Sequence, residues 1–298
     1  MKPRTTPLYI LTLIGMLVPT LHLQADATLS AEQIMEKVDH MARKSFSTQL
    51  AKVKITTCKY TVNEGQVNCS ERPRVVLADN AKKVSITPDS YTSHSVTIVE
   101  EPIGDRGLSL LVYEYGERNR DNDNWLYLPA IGKVNRVIAS DDSSGSVFGS
   151  EFSVENMQNP EARKLYEFTY KIVEETTYRD RKVWVMEITP TEEKARKASY
   201  TKVVAWIDQE NFIPLKEDLY RNGRVHKQRT QSNIKKIDDV YVATKIVMNN
   251  LDSSRISQMD KTSMVHNREV PDDFLSQRAL TDFAFRERNL ARFREYLN

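Results

Sequence analysis

Residues 200–251 read YTKVVAWIDQENFIPLKEDLYRNGRVHKQRTQSNIKKIDDVYVATKIVMNNL, and this stretch decides the fold. Strand-like runs at 200–208, 213–221, 225–237 and 241–251 are separated by Asp208, Gln209, Glu210 and Asn211, by Asn222 and Gly223, and by Asp238 and Asp239. These residue types tolerate the backbone conformations of tight hairpin turns. Turns this short join antiparallel neighbours, whereas parallel strands need crossovers of a dozen residues or more. The segment is therefore an up-and-down antiparallel meander.

Working outward, the same pattern covers 166–176, 183–189 and 255–265, and earlier pairs are expected at 49–62 with 67–77 and at 108–115 with 125–128. Tyr166, Phe168, Tyr170 and Ile172 share one parity, and Trp184, Met186 and Ile188 repeat it, so one face of the sheet is apolar. Few helices are available to cover that face. The clearest begins at Ser30, which forms a capping box with Gln33, and Ile34, Met35, Val38 and Met41 follow at helical spacing. A short turn near 156–164 and a tail at 282–298 complete the helical content. In the tail, Phe283, Leu290, Phe293 and Leu297 share one side among several arginines. It reads either as a helix docked on the sheet edge or as a surface for a membrane or partner.

A mainly β protein with a strongly curved antiparallel sheet, an incomplete β-barrel covered by helices, is the economical architecture, and such a shape leaves an apolar cavity. The candidate lining residues are Ile34 and Met41 from the first helix, with Trp125, Tyr127, Phe148, Phe152 and Trp184.

Lys2 and Arg4, an apolar run from Leu8 to Leu23 and the small residues Ala25 and Ala27 have the layout of a secretory signal peptide, assigned to 1–25. The exported chain, 26–298, is expected to be one domain and a monomer. Without the two basic residues of 1–25 it carries 41 residues of each charge, so no basic surplus points to nucleic acid. Cys58 and Cys69 are the two cysteines; an even count in an oxidising compartment favours a disulfide, with unpaired thiols as the alternative.

The histidines show no ligand-like spacing, and no nucleophile elbow, phosphate loop or dinucleotide fingerprint occurs. No metal, cofactor or catalytic residue is expected, and the chain does not read as an enzyme.

The most distinctive segment begins Trp125, Leu126, Tyr127, Leu128, Pro129, Ala130, Ile131 and continues through a Ser and Gly stretch to Phe148, Gly149, Ser150, Glu151, Phe152, Ser153, Val154, Glu155 and Asn156. By composition it is either a mobile flap beside the cavity or an ordered connection. The run resembles the LolA-like outer-membrane lipoprotein-sorting family, as do Glu101 to Gly107 and Val270 to Phe274. Glu151 stands where that family usually has Asp, Val154 where it has Tyr, and Asn156 where it has a second acid.

The resemblance implies a LolA/LolB-like fold in the periplasm that binds the acyl chains of a lipid or lipoprotein. It also implies an inner-membrane transporter of the resistance-nodulation-division or MMPL type as partner. The alternative is a regulatory module of such a transporter that carries no cargo.

Overall fold

The structure is a computed structural model that describes residues 29–88, 90–118, 120–138, 146–158 and 164–298. The signal segment 1–25 and the Ser and Gly stretch 139–145 lie outside the described residues.

Helix α1 (Ala31–Asp39) starts where the capping box places it. Ser30 Oγ accepts the Gln33 backbone N–H at 3.2 Å, and Gln33 Oε1 accepts the Ser30 N–H at 2.9 Å. A wider π turn, His40–Lys44, ends it. Ile34, Met35 and Val38 are fully buried. Ser30→Ala removes one half of the box and is expected to cost about 1 kcal/mol, measurable by urea unfolding.

Among the described residues, fourteen strands follow in order: β1 (Thr48–Asn63), β2 (Gln66–Cys69), β3 (Arg74–Ile86), β4 (Tyr91–Glu101), β5 (Ser109–Tyr115), β6 (Asp123–Leu128), β7 (Lys133–Arg136), β8 (Phe168–Tyr178), β9 (Arg181–Pro190), β10 (Lys202–Asp208), β11 (Pro214–Arg221), β12 (Arg224–Ile237), β13 (Val240–Asn250) and β14 (Arg255–His266). Short helices α2 (Val154–Met157) and α3 (Glu192–Ala195) interrupt them, and α4 (Gln277–Thr281) and α5 (Phe283–Leu297) close the chain. The spatial order is β7-β6-β5-β4-β3-β1-β14-β13-β12-β11-β10-β9-β8, with β2 paired to the tip of β1. Every pairing is antiparallel, as the turn chemistry requires.

The expectation of a strongly curved, incomplete barrel is corrected. The sheet is open: its path ends at β7 and β8, and these two edge strands do not pair with each other. That expectation assumed one apolar face with too few helices to cover it. Instead, β1, β4 and β5 bury apolar residues on both faces. Ala51, Val53, Val99, Leu110 and Val112 join the larger core beneath α1. The alternate residues Leu50, Val96, Ile98 and Leu111 join a second core with Phe274, Leu290 and Phe293 under α4 and α5. Helices therefore cover both faces, and the sheet need not wrap around one of them.

The C-terminal tail lies on a sheet face rather than on an edge. Phe285, Leu290 and Phe293 point inward, while Phe283 is 60% exposed. Arg286 is buried, and Arg294 donates to Asp79 at 2.7 Å and pairs with Glu100 at 3.0 Å.

Cys58 and Cys69 form a disulfide with a Cα separation of 5.7 Å. The half-cystines are not directly opposite: Cys69 faces Tyr60, and Cys58 faces Ile256 of β14. The bridge thus runs diagonally and ties the short strand β2 back to the main sheet.

At the β10–β11 turn, Asp208 accepts backbone N–H groups of Glu210 (2.9 Å) and Asn211 (2.8 Å) and pairs with Arg181. Burial pushes the Asp208 carboxyl up, but the Arg181 hydrogen bond and the two backbone N–H groups outweigh it, and the net shift is downward. A carboxyl depressed on folding contributes stability above its unfolded pKa and loses it as pH falls through the folded value. Asp208→Asn is therefore expected to flatten stability against pH below about 4, which urea midpoints between pH 2 and 6 measure.

Candidate functional site

The helix-covered face that carries the larger core is not filled. A cavity of about 170 Å³ lies between that face and the α1 segment, which contributes Val38, Met41, Ala42 and Phe46. Ala51 and Val53 of β1, Met259 of β14 and Val242 and Ile246 of β13 form its apolar wall, and Phe152 closes one side. Polar side chains share the wall: Asn80 and Lys82 on β3, Thr97 on β4, Glu114 on β5 and Arg229 on β12. Two of these polar residues are held by partners on the neighbouring strand. Asn80 sits opposite Ala51 and Thr97, and its Nδ2 donates to Thr97 Oγ1 at 3.0 Å. Arg229 sits opposite Glu217, with Nη2 to Oε2 at 2.5 Å.

Above this wall, the turn that ends α1 carries a buried pair. Arg43 donates from Nε to Asp39 Oδ1 at 2.6 Å, and its guanidinium lies 3.7 Å above the Tyr91 ring. Burial, with the nearby Glu114 adding to it, pushes the Tyr91 hydroxyl up to about 12 against the opposing Arg43 charge. Tyr91 therefore stays neutral at any physiological pH.

The segment between β7 and α2 is fastened where it is described. Phe148 adopts φ 56° and Gly149 φ 73°, and a Cβ on Gly149 would meet Arg74 Nε at 2.9 Å, so this corner needs glycine. Arg255 Nε and Asn250 Nδ2 each donate to the Glu151 carboxylate at 2.8 Å, and the Glu151 backbone N–H donates to Ser257 Oγ at 2.8 Å. Farther on, Gln158 is held between Asn122 and Asn124 at 3.0 and 2.8 Å. The three departures from the family pattern have local roles here. Glu151 anchors the segment to β13 and β14, Val154 is buried in the core, and Asn156 completes a capping box with Ser153. Glu151→Ala deletes two hydrogen bonds to a charged group and is expected to cost about 1.5–3 kcal/mol. Hydrogen exchange should speed up first at amides 147–157.

The seven candidate lining residues separate into groups. Met41 and Phe152 line the cavity. Ile34 and Phe148 are buried in the adjoining core. Trp184 packs on that core and stacks on Phe212, another lining residue, with ring centroids 5.7 Å apart. Trp125 and Tyr127 face the other way: paired with Leu111 and Ser109, they pack against the second core under α4 and α5. The charged wall residues Lys82, Glu114 and Arg229 were not singled out from the sequence, because each reads as the solvated half of an alternating strand.

Among the described residues, no group of three or more His, Cys, Asp or Glu side chains could hold a metal ion. No described helix is long and apolar enough to cross a membrane.

No curated protein matches the chain. Its fold is shared with several solved structures. A DUF1329 family protein from Desulfovibrio piger superposes with a TM-score of 0.72 at 20% identity, covering 84% of this chain and 97% of that one. A putative outer membrane lipoprotein-sorting protein domain from Vibrio parahaemolyticus gives 0.71 at 21% identity, covering 85% and 100%. A LolA superfamily protein from Nitrosomonas europaea gives 0.60 at 22% identity, covering 83% and 98%. The LolA-like resemblance read from the sequence is thus borne out at the level of the fold, without the strongly curved, incomplete barrel expected with it. A family model whose description reads "Uncharacterized protein" matches residues 92–282, well over half of the length, and the chain belongs to that family.

Proposed function

We propose that this chain is a periplasmic carrier that shelters the acyl chain of a lipid or lipoprotein beneath α1 and does no chemistry on it. The observation that carries the reading is the unfilled space between α1 and an apolar sheet face, in a fold similar to that of a putative lipoprotein-sorting domain. About 170 Å³ has room for a short run of chain carbons along the apolar part of the wall. A longer chain requires α1 to move off the wall. Each methylene withdrawn from water contributes roughly 0.8 kcal/mol, so even a short run binds measurably and with little regard for chain identity. Donation of the cargo to, or receipt from, an inner-membrane transporter of the resistance-nodulation-division or MMPL type is part of the same proposal.

Solvent extraction of the purified protein followed by mass spectrometry is expected to release an amphiphile. A protein that neither carries nor takes up any amphiphile is not a carrier. Met41→Asp places a short charged group, unable to snorkel as Lys or Arg does, in the path of the chain. It should weaken uptake of a twelve-carbon amphiphile at least tenfold, measured where the variant is folded, because a carboxylate at this half-buried position also costs stability.

A further inference from the structure

The cavity beneath α1 adjoins a second one of about 130 Å³, and Glu114, Asn156, Gln158 and Arg229 line both. The two differ in chemistry. Beyond the shared wall, the second is bordered by Asp121, Glu155, Lys164, Glu167, Lys194 and Lys202. Most of these charges have a counter-charge or a hydroxyl at hand. Lys194 lies 2.8 Å from Glu167, Lys202 3.1 Å from Glu187, and Asp121 3.1 Å from Lys197, while Glu155 accepts the Ser199 hydroxyl. On the shared wall, Arg229 is matched by Glu217.

Lys164 is held differently. Its Nζ donates to two backbone carbonyl oxygens, Arg120 at 2.5 Å and Glu117 at 3.3 Å, so among the described residues its hydrogen-bond partners are neutral. An ammonium has three donors, and among the described residues two are used, at a half-buried position. Burial outweighs the pull of Glu167 and holds the Lys164 pKa below its ordinary value, as expected for a cation whose lost hydration is incompletely replaced.

We infer that the interior is a paired site, in which the first cavity takes the chain of an amphiphile and the second takes its anionic oxygen head group on Lys164. The inference rests on the carrier reading above and adds a head-group class to it. An apolar chamber alone would accept any greasy tail. A chamber with a half-buried cation behind a polar partition discriminates by head group, because a hydrogen bond to a charged acceptor changes affinity by about tenfold or more.

Isothermal titration of the whole exported chain with dodecyl phosphate and with uncharged 1-dodecylglycerol tests this. Wild-type protein is expected to prefer dodecyl phosphate by at least about tenfold. Lys164→Met should abolish the preference, and Lys164→Arg should largely keep it. Millimolar inorganic phosphate should not displace dodecyl phosphate. Equal affinity for the two amphiphiles in the wild type, or a preference that survives in Lys164→Met, overturns the head-group assignment and leaves the carrier reading standing. Displacement by inorganic phosphate alone would mean a free-anion site with no role for the tail, and also overturns it. Failure of both amphiphiles to bind removes the carrier reading and this inference together.

Discussion

Glu217→Ala is expected to destabilise the protein by about 3–5 kcal/mol, although Glu217 sits on a strand where a polar residue reads as solvated. Glu217 is 1% exposed and Arg229 3%, and the guanidinium donates from Nε to Glu217 Oε2 at 2.6 Å, with Nη2 2.5 Å from the same oxygen. Removing the acid takes its carboxylate away from a buried cation beside the cavity, and the lost solvation of that cation dominates the cost. Arg229→Met should cost a similar amount for the mirror-image reason. The double variant Glu217→Leu with Arg229→Met should be much less damaged than the sum of the singles, since neither charge is left behind. Urea unfolding of all four proteins measures this. Single variants within about 1 kcal/mol of wild type would mean that water reaches the pair, and the wall would then not be closed at that point.

The same pair shows where the sequence stops being legible. Asn222 and Gly223 identify the β11–β12 turn, and a regular two-residue hairpin would set Glu217 opposite Gln228. A register shift between Leu219 and Tyr220 sets it opposite Arg229 instead. Such a bulge leaves no clear mark in composition, and a one-residue slip exchanges the faces of every side chain beyond it. The meander itself was readable because Asp238 and Asp239, Asn222 and Gly223, and Arg179 and Asp180 all adopt the turn conformations their side chains tolerate.

Strand β4 escaped the sequence reading for a different reason. Its first half, Tyr91 to Ser95, lacks alternation, and in its second half Val96 and Ile98 face one core while Val99 faces the other. A strand covered on both sides carries no period-two signal. The second core had the same origin, and its absence from the reading is what made a curved half-barrel look necessary. For the cavity, Met41 and Phe152 were legible as apolar residues at the right spacing. Lys82, Glu114 and Lys164 were not, because a buried charge is recognisable only once its neighbours are placed.

Phe274→Ala is expected to cost about 3–5 kcal/mol and tests the two-sided sheet directly. Phe274 is fully buried, meets Phe293 edge-on at 4.9 Å and lies 6.3 Å from Phe285, so it joins the 3₁₀ turn Asp272–Leu275 to α5. The truncation loses its buried area and an aromatic contact of about 0.5–1.5 kcal/mol, and the packed helices cannot readily collapse into the space. Phe283, the first residue of α5, is 60% exposed, so Phe283→Ala should stay within about 0.5 kcal/mol. Equal costs at the two positions would mean that the helix presents a different side to the sheet. Because Phe274 belongs to the core opposite the cavity, Phe274→Ala should also leave amphiphile affinity unchanged at temperatures where the variant is folded. A parallel loss of binding would mean that the two faces of the sheet move together, with α5 bracing the wall on which the chain rests.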